Sequence, residues 1–463
     1  LTQFDKENEM KQVSWRLLSF LAVLVLVLAA CAPAATPTAA PAATDAPAEA
    51  PAATEAPAAA DAPAEYTGPK ARVNLWHTIP TDTETYFVGD LMPKFNAAHP
   101  ECTIVVRNLG VEDPAIIRTG LALPLEDANR PHLWWLASSE TGAYVEADVL
   151  ADVDSWLNSK PELKANIIPS LLELSSWDGK VRSLPWMTNN TAMWINIDAF
   201  EKAGVAIPSQ NPEETWTWAE FSDAMKKVTE ANEGMKGFLV TVNTGWDFWT
   251  YHAWYGAAGG DVSGLAVLDS EASFKTVQLQ KDLIDGGYAT TTTTGWDAAP
   301  WYAGQVAVMA NGPWNFPKLS TFTDFKFTVV PYPRDVKPAT NLGGDQLFIG
   351  KTPTAEQEAC AFAFGEWVLS DDFQIAFQKQ SGNLPVTKTA AESQEYKDHL
   401  AKYPFMAGFV NQTAYGVARP PIPLFNEVSN AFTPAWDDVI LNGADVKERF
   451  TALQEEVNSI LGQ

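Results

Sequence analysis

Leu133 to Ala137 reads Leu-Trp-Trp-Leu-Ala, an uninterrupted apolar run that hands over to Ser138-Ser139-Glu140. A run this short and continuous fits a strand covered on both faces. A sheet of such strands needs helices above and below it, so the run points to an α/β layered fold. Its neighbours agree. Ala71 to Trp76 alternates with period two and predicts a first strand, Thr85 to His99 a helix ending before Pro100, and Thr103 to Arg107 a second strand. Strand, helix, strand, helix, strand implies a parallel sheet with helices on both sides. Ligands of open α/β sheets collect at strand carboxyl ends. Trp76 and His77 at the first such end, and Ser138, Ser139 and Glu140 at the third, are therefore candidate binding residues. A lone histidine beside a strand serves a structural role at least as often.

The middle of the chain repeats the alternation with different landmarks. Leu184-Pro185 reads as a first crossing between two lobes, followed by Trp186-Met187-Thr188-Asn189-Asn190 and a strand over Ala192 to Asn196. Asp198 is the expected cap of a short helix stopping at Gly204. Thr217 and Glu220 form a capping box, with Phe221, Met225 and Val228 behind it at helical spacing. After a strand over Phe238 to Val242 come Trp246, Asp247, Phe248, Trp249, Tyr251, Trp254 and Tyr255. These are more aromatics than one helix face needs; an aromatic core patch accounts for about half of them and a cleft for the rest.

Val306 to Ala310 predicts a buried strand, ended by the turn residues Asn311-Gly312-Pro313. Trp314 then sits just past a strand end, where a flat ring can face a cleft or join the core. Phe325 to Val330 is another strand, and a loop leads to Gly343-Gly344-Asp345 and a strand over Leu347 to Ile349. Thr354 and Gln357 open a further helix, Gly382 to Pro385 is a turn, and Arg419 leads a rigid Pro-Pro-Ile-Pro stretch. Val446, Phe450, Leu453, Val457 and Ile460 form the packing stripe of the last helix.

The first part of the chain has a different character. Met10 is the expected start, with Lys11 and Arg16 as a positive leader. Leu17 to Leu28 suits the apolar core of a signal peptide and is too short to span a bilayer. It ends Leu28-Ala29-Ala30-Cys31, which resembles the lipobox of bacterial lipoproteins; that resemblance implies cleavage before Cys31 and its lipidation. An ordinary cleavage site with a chance cysteine is the alternative. Residues 32 to 66 are Ala, Pro and Thr with scattered acids, which have little to bury and stay extended, as a tether or a plain disordered tail. Cys102 and Cys360 either pair, as an exported protein allows, or remain two buried thiols.

With lipobox, tether and alternating lobes in hand, the chain from Val73 to Gln463 resembles the extracellular solute-binding proteins of ATP-driven importers, and among them the sugar-binding group that includes maltose-binding protein. The resemblance rests on Tyr302 to Trp314, Gly179 to Gly204, Gly343-Gly344 with the helix to Ser370, and Gly382 to Pro385. It implies an α/β, two-lobed periplasmic-binding-protein-like fold, each lobe a sheet flanked by helices, joined by hinge segments. Residues 70–184 with 332–370 form the first lobe in this reading, and 185–331 with 371–463 the second. It further implies sugar stacking on Trp314, hydroxyl contacts from Ser138, Ser139 and Glu140, a polar contact at Asn189 beside Asn190, and an acid and an aromatic at Asp247 and Trp249 beside Trp246. Gly344, Asp345 and Arg419 complete the candidate set. The group's Asp-Arg pair in the first lobe is Ser-Ser-Glu here, and its late-helix tryptophan falls near Ser429, so maltose itself is not the expected ligand. The resemblance also implies a monomer anchored outside the cell membrane by lipid, with permease subunits as partners.

Sugars present a ring face of C–H bonds and a rim of hydroxyls, which Trp and polar side chains match. The chain holds 18 Trp but only 5 dispersed His, which argues against metal capture, and no cofactor is expected. Its net charge of −26 argues against nucleic acid, whose phosphates need a basic surface. A polyol, a glycerol phosphate derivative or a polyamine is the alternative ligand. A secreted glycoside hydrolase using Glu140 and Asp247 is the enzyme alternative, disfavoured because moving lobes position paired catalysts poorly.

Overall fold

The computed structural model describes residues 70–463, apart from 111–113, 294–297 and 421. Cys31, the apolar leader and the 32–66 tether lie outside the described residues. Two five-stranded sheets organise the fold. The first has the order Cys102–Asn108, Ala71–His77, Leu133–Ala137, Asp345–Ile349, Leu184–Pro185. Its first three strands are parallel, and Asp345–Ile349 runs antiparallel to both of its neighbours. The second has the order Phe327–Val330, Ala192–Asn196, Val306–Asn311, Lys236–Thr241, Ala289–Thr292. There Ala192–Asn196 is the strand antiparallel to both neighbours, and the last three are parallel.

The central strands of both sheets are covered on both faces, which is why they are largely apolar. Leu133 to Ala137 is buried at every position. Trp135 joins Val73, Leu75 and Leu347 in one core, while Trp134 and Leu136 join Trp76 and Phe348 in the other. The pleat thus sorts alternate residues to opposite faces. The same holds for Ala192–Asn196: Met193 and Ile195 face one core, Ala192 and Trp194 the other. The helices of the second lobe, Trp218–Ala231, Trp246–Ala257, Phe425–Ile440 and Val446–Leu461, bury their apolar stripes in the larger of these cores.

Local signals in the sequence set several helix ends. Thr217 accepts from the Glu220 amide and Glu220 answers the Thr217 amide, a complete capping box. Thr354 accepts from the Gln357 amide. Gly204 closes its helix at φ +64°, the left-handed conformation that favours glycine. Two starts differ from expectation. The helix expected from Thr85 begins at Thr81 and passes through a π-helical turn at Phe87–Leu91 before Met92–Ala98. The short helix after the Ala192 strand is capped by Asn196, whose side chain accepts from the Ala199 amide, and Asp198 lies inside its first turn.

Cys102 and Cys360 form a disulfide across 258 residues of sequence, tying the edge strand Cys102–Asn108 to the helix Ala355–Val368.

Between the sheets three segments run side by side. Thr188 bridges to Leu384 and Asn189 to Gly343, both antiparallel. Gln374 and Gln378 donate to the Trp186 carbonyl at 3.0 and 3.1 Å, and Gln374 accepts from the Val386 amide at 3.0 Å. Beyond them, Thr191 binds Asn341 and Tyr332, and Gln412 binds Asn190 and Thr191. Most of these buried polar groups pair with one another, as buried polar groups tend to, while Asn341 Nδ2 is buried without a partner among the described residues. Tyr332 and Ala339 pack in the second lobe's core, whereas Phe373, Phe377 and Val386 pack in the first's.

Candidate functional site

The carboxyl end of Leu133–Ala137 continues as a tight turn, Ser138–Glu140, and then the helix Thr141–Glu146. All three turn residues are buried. Glu140 is 3% exposed, and both of its carboxylate oxygens are engaged. Arg118 Nη2 donates to Oε2 at 2.9 Å from the neighbouring helix Pro114–Leu121. Asn426 Nδ2 donates to Oε1 at 2.7 Å. Asn426 belongs to Phe425–Ile440, whose Phe425, Val428 and Phe432 sit in the second lobe's core. Glu140 therefore reaches across from one lobe to the other.

Trp314 lies in the turn Pro313–Asn315 at the end of Val306–Asn311 and keeps part of its ring exposed. Its ring crowds Gly312 so closely that a Cβ there would fall 1.9 Å from it, so only glycine admits this pose. The ring centroid lies 6.2 Å from that of Trp249, with the planes 30° apart. Arg419 places its guanidinium carbon 4.9 Å from the Trp249 centroid, a cation–π contact. Trp249 also meets the hinge: a Cβ on Gly343 would lie 2.5 Å from its ring and 2.4 Å from Asn189 Oδ1. Gly344 adopts φ +149°, and a Cβ there would lie 2.5 Å from the Met187 carbonyl oxygen. Asp345 follows, paired in register with Ala137 just before the Ser138 turn. Aromatic platform, hinge glycines and first-lobe turn thus form one continuous line.

Other expected site residues turn elsewhere. Trp76 is buried against Ile117, Leu121 and Trp134, with Arg107 4.4 Å from its ring centroid. His77 is fully buried; its Nδ1 accepts the Ile79 amide, its Nε2 lies 3.4 Å from Glu84, and burial lowers its pKa to about 4. Asn190 donates to the Phe409 carbonyl and Thr413, inside the hinge network. Asn189 donates to Asn383 at 3.1 Å. Trp246 opens the helix Trp246–Ala257. Asp247 is 1% exposed and accepts from the Thr244 amide and hydroxyl, both at 3.1 Å. Desolvation pushes its pKa up to about 6, against those hydrogen bonds. Phe248, Tyr251, Trp254 and Tyr255 pack in the core, so of this aromatic run Trp249 supplies the contact to Trp314.

Sequence reasoning missed Arg118, Asn383 and Asn426. Arg118 and Asn426 sit on helices whose patterns record packing, and their shared partner Glu140 is 22 and 286 residues away. Among the described residues no group of three or more His, Cys, Asp or Glu is placed to hold a metal ion, and no helix is long and apolar enough to cross a membrane.

Two α/β lobes joined by three adjacent hinge segments, with an aromatic platform and a polar bridge at their seam, define a two-lobed binding protein. The family profile of bacterial extracellular solute-binding proteins matches residues 90–404, and the chain belongs to that family. Its place is thus outside the cytoplasm, and its relatives are binding proteins. The sn-glycerol-3-phosphate-binding periplasmic protein UgpB of Salmonella typhimurium is 22% identical over 376 residues, 76% of this chain and 82% of that one. The cyclic alpha-maltosyl-1,6-maltose binding protein of Arthrobacter globiformis superposes with a TM-score of 0.71 at 25% identity, covering 85% of this chain and 99% of its own. UgpB of Mycobacterium tuberculosis, solved in complex with glycerophosphocholine, gives a TM-score of 0.74 at 20% identity, covering 86% and 99%.

Proposed function

We propose that this protein is the receptor of an ABC importer, capturing a sugar or oligosaccharide between its lobes and delivering it to the permease. The observation that carries this reading is the Trp314–Trp249 pair at the hinge end of the cleft, with Trp314 partly open. A ring of this kind offers a flat apolar surface to the C–H face of a sugar. Ser138 and Ser139 and the Gly343-Gly344-Asp345 segment stand beside it to meet hydroxyls, while Glu140 spends both oxygens on Arg118 and Asn426. In this reading Cys31 carries a lipid and residues 32–66 are the tether. The first lobe comprises 70–184 and the return strand and helices to Val386, a division supported by the packing of Phe373, Phe377 and Val386.

Arg419 favours a second reading. The described arginines paired with carboxylates are Arg118 and Arg449, so the half-buried Arg419 guanidinium is held by the Trp249 ring instead. A cation so placed suits a phosphate or phosphodiester group, and both UgpB relatives carry names or ligands of that kind.

Thermal unfolding against mono- and oligosaccharides, polyols, polyamines and glycerophosphodiesters tests both. A ligand at about 100 times its Kd adds roughly 2.7 kcal/mol to the folded state. An oligosaccharide shift abolished by Trp314→Ala supports the first reading. A shift with glycerophosphodiesters alone, abolished by Arg419→Gln, replaces it with the second, and consumption of a sugar revives a hydrolase. Membrane retention lost in Cys31→Ala tests the anchor.

A further inference from the structure

Glu140 is the point where the first lobe touches the far side of the second, and its partners divide between them. Arg118 comes from its own lobe and Asn426 from the opposite one. Glu140 itself is 3% exposed, while the Arg118 side chain is 42% exposed. The carboxylate is thus withdrawn from water and held by a charge on one side and an amide on the other. Hydrogen bonds to an ionised group are the stronger kind. A buried carboxylate that loses a partner must find another or return to water. Opening the lobes breaks the Asn426 bond first, because the Arg118 bond stays within one lobe.

We infer that the Glu140–Asn426 bond is a latch that holds the lobes together before ligand arrives. The inference rests on the reading that the protein closes on its ligand. Its consequence is for affinity rather than for the choice of ligand. A receptor whose binding-competent form is a fraction of the whole binds more weakly by that fraction. The latch raises the closed fraction, so it tightens every ligand alike. Glu140 is then a positioning residue whose oxygens are already spent on the protein, and ligand selectivity is left to the platform residues. Asn426 lies at the start of its helix and is partly exposed, so its side chain can be shortened without opening a core.

The experiment measures the distance between spin labels at the exposed positions 162 and 233, one on each lobe, in the ligand-free full chain. Asn426→Ala should move the distribution to longer distances and raise Kd about tenfold, or ~1.4 kcal/mol, with the rank order of ligands unchanged. Glu140→Ala should do the same, and the double variant should add little to either, the sign of a shared interaction. An unchanged distance distribution in Asn426→Ala overturns the latch, as does tighter binding, which would make the amide a competitor of the ligand. If the parent protein binds nothing in the panel, the binding reading fails, and the ligand-free distances still decide the latch.

Discussion

The two walls of the cleft solve the burial of polar groups in opposite ways. The first-lobe wall holds a salt bridge: Glu140 is buried, answered by Arg118 and reaching Asn426 across the seam. In the second-lobe wall Asp247 is equally buried, yet its donors include the amide and hydroxyl of Thr244 in its own turn, and burial raises its pKa to about 6. Burial alone therefore does not fix what a carboxylate does. A cation and a partner on another element make it a tie between lobes; local donors make it part of a turn.

This contrast is open to breaking. The largest effect should come from inside the first lobe, where the Cys102–Cys360 bond closes a long loop. Removing it in Cys102→Ser/Cys360→Ser should cost about 2–5 kcal/mol in denaturant unfolding. Ligand affinity of the protein that remains folded should stay within about twofold, because the bond lies away from the seam. A large affinity loss would mean the first wall depends on the staple for its shape.

At the seam, Gly343→Val should destabilise the fold by roughly 3 kcal/mol, the upper end of overpacking costs. Its Cβ would collide with Asn189 and Trp249. Unlike the cysteine variant it should abolish binding, since the collision displaces the platform.

Asp247 gives a pH signature. Its folded pKa lies above the ordinary 3.8, so the folded state holds this proton longer than the unfolded chain does. Stability from this group falls as pH rises from about 4 to 6 and is flat above, by about 3 kcal/mol in total. His77 and His252, lowered to about 4 by burial, work the other way, adding stability as pH rises from about 4 to 6.5. The difference between parent and Asp247→Asn stability curves, measured from pH 4 to 7, isolates the carboxylate. A flat difference would mean that Asp247 titrates alike in the folded and unfolded states.

The smallest effect concerns salt. Arg118 is partly exposed, so its hold on Glu140 should weaken as ionic strength shortens the Debye length. Raising salt from 0.05 to about 0.5 M should lengthen the ligand-free interlobe distance slightly, and Arg118→Gln should remove that dependence. The platform, which is aromatic, should not respond.

Much of the frame is legible in the sequence. The Leu133 to Ala137 run, the Val306 strand with its Asn-Gly-Pro stop, the Thr217 capping box and the Gly204 stop all appear where their local chemistry puts them. Trp314 was found as a ring past a strand end, and it stands beside Trp249. Trp76 and His77 satisfied the same strand-end argument but face the cores. A strand end says where a side chain is attached, and the helix packed over it decides whether any of it remains open. The aromatic run after Gly245 divided in the same manner, with Phe248, Tyr251, Trp254 and Tyr255 inward and Trp249 at the seam.

The sequence by itself determined the alternation of strands and helices, the caps that end them and the kinds of side chain available to a ligand. These depend on periodicity and on bonds spanning a few residues, which any short window contains. The tertiary structure decided that Cys102 meets Cys360, that Gly343 lies under Trp249, and that Glu140 is shared between Arg118 and Asn426. Those pairings join residues far apart in the chain, where many partners of equal chemistry compete, and only the packing of two sheets and a hinge brings one of them within bonding distance.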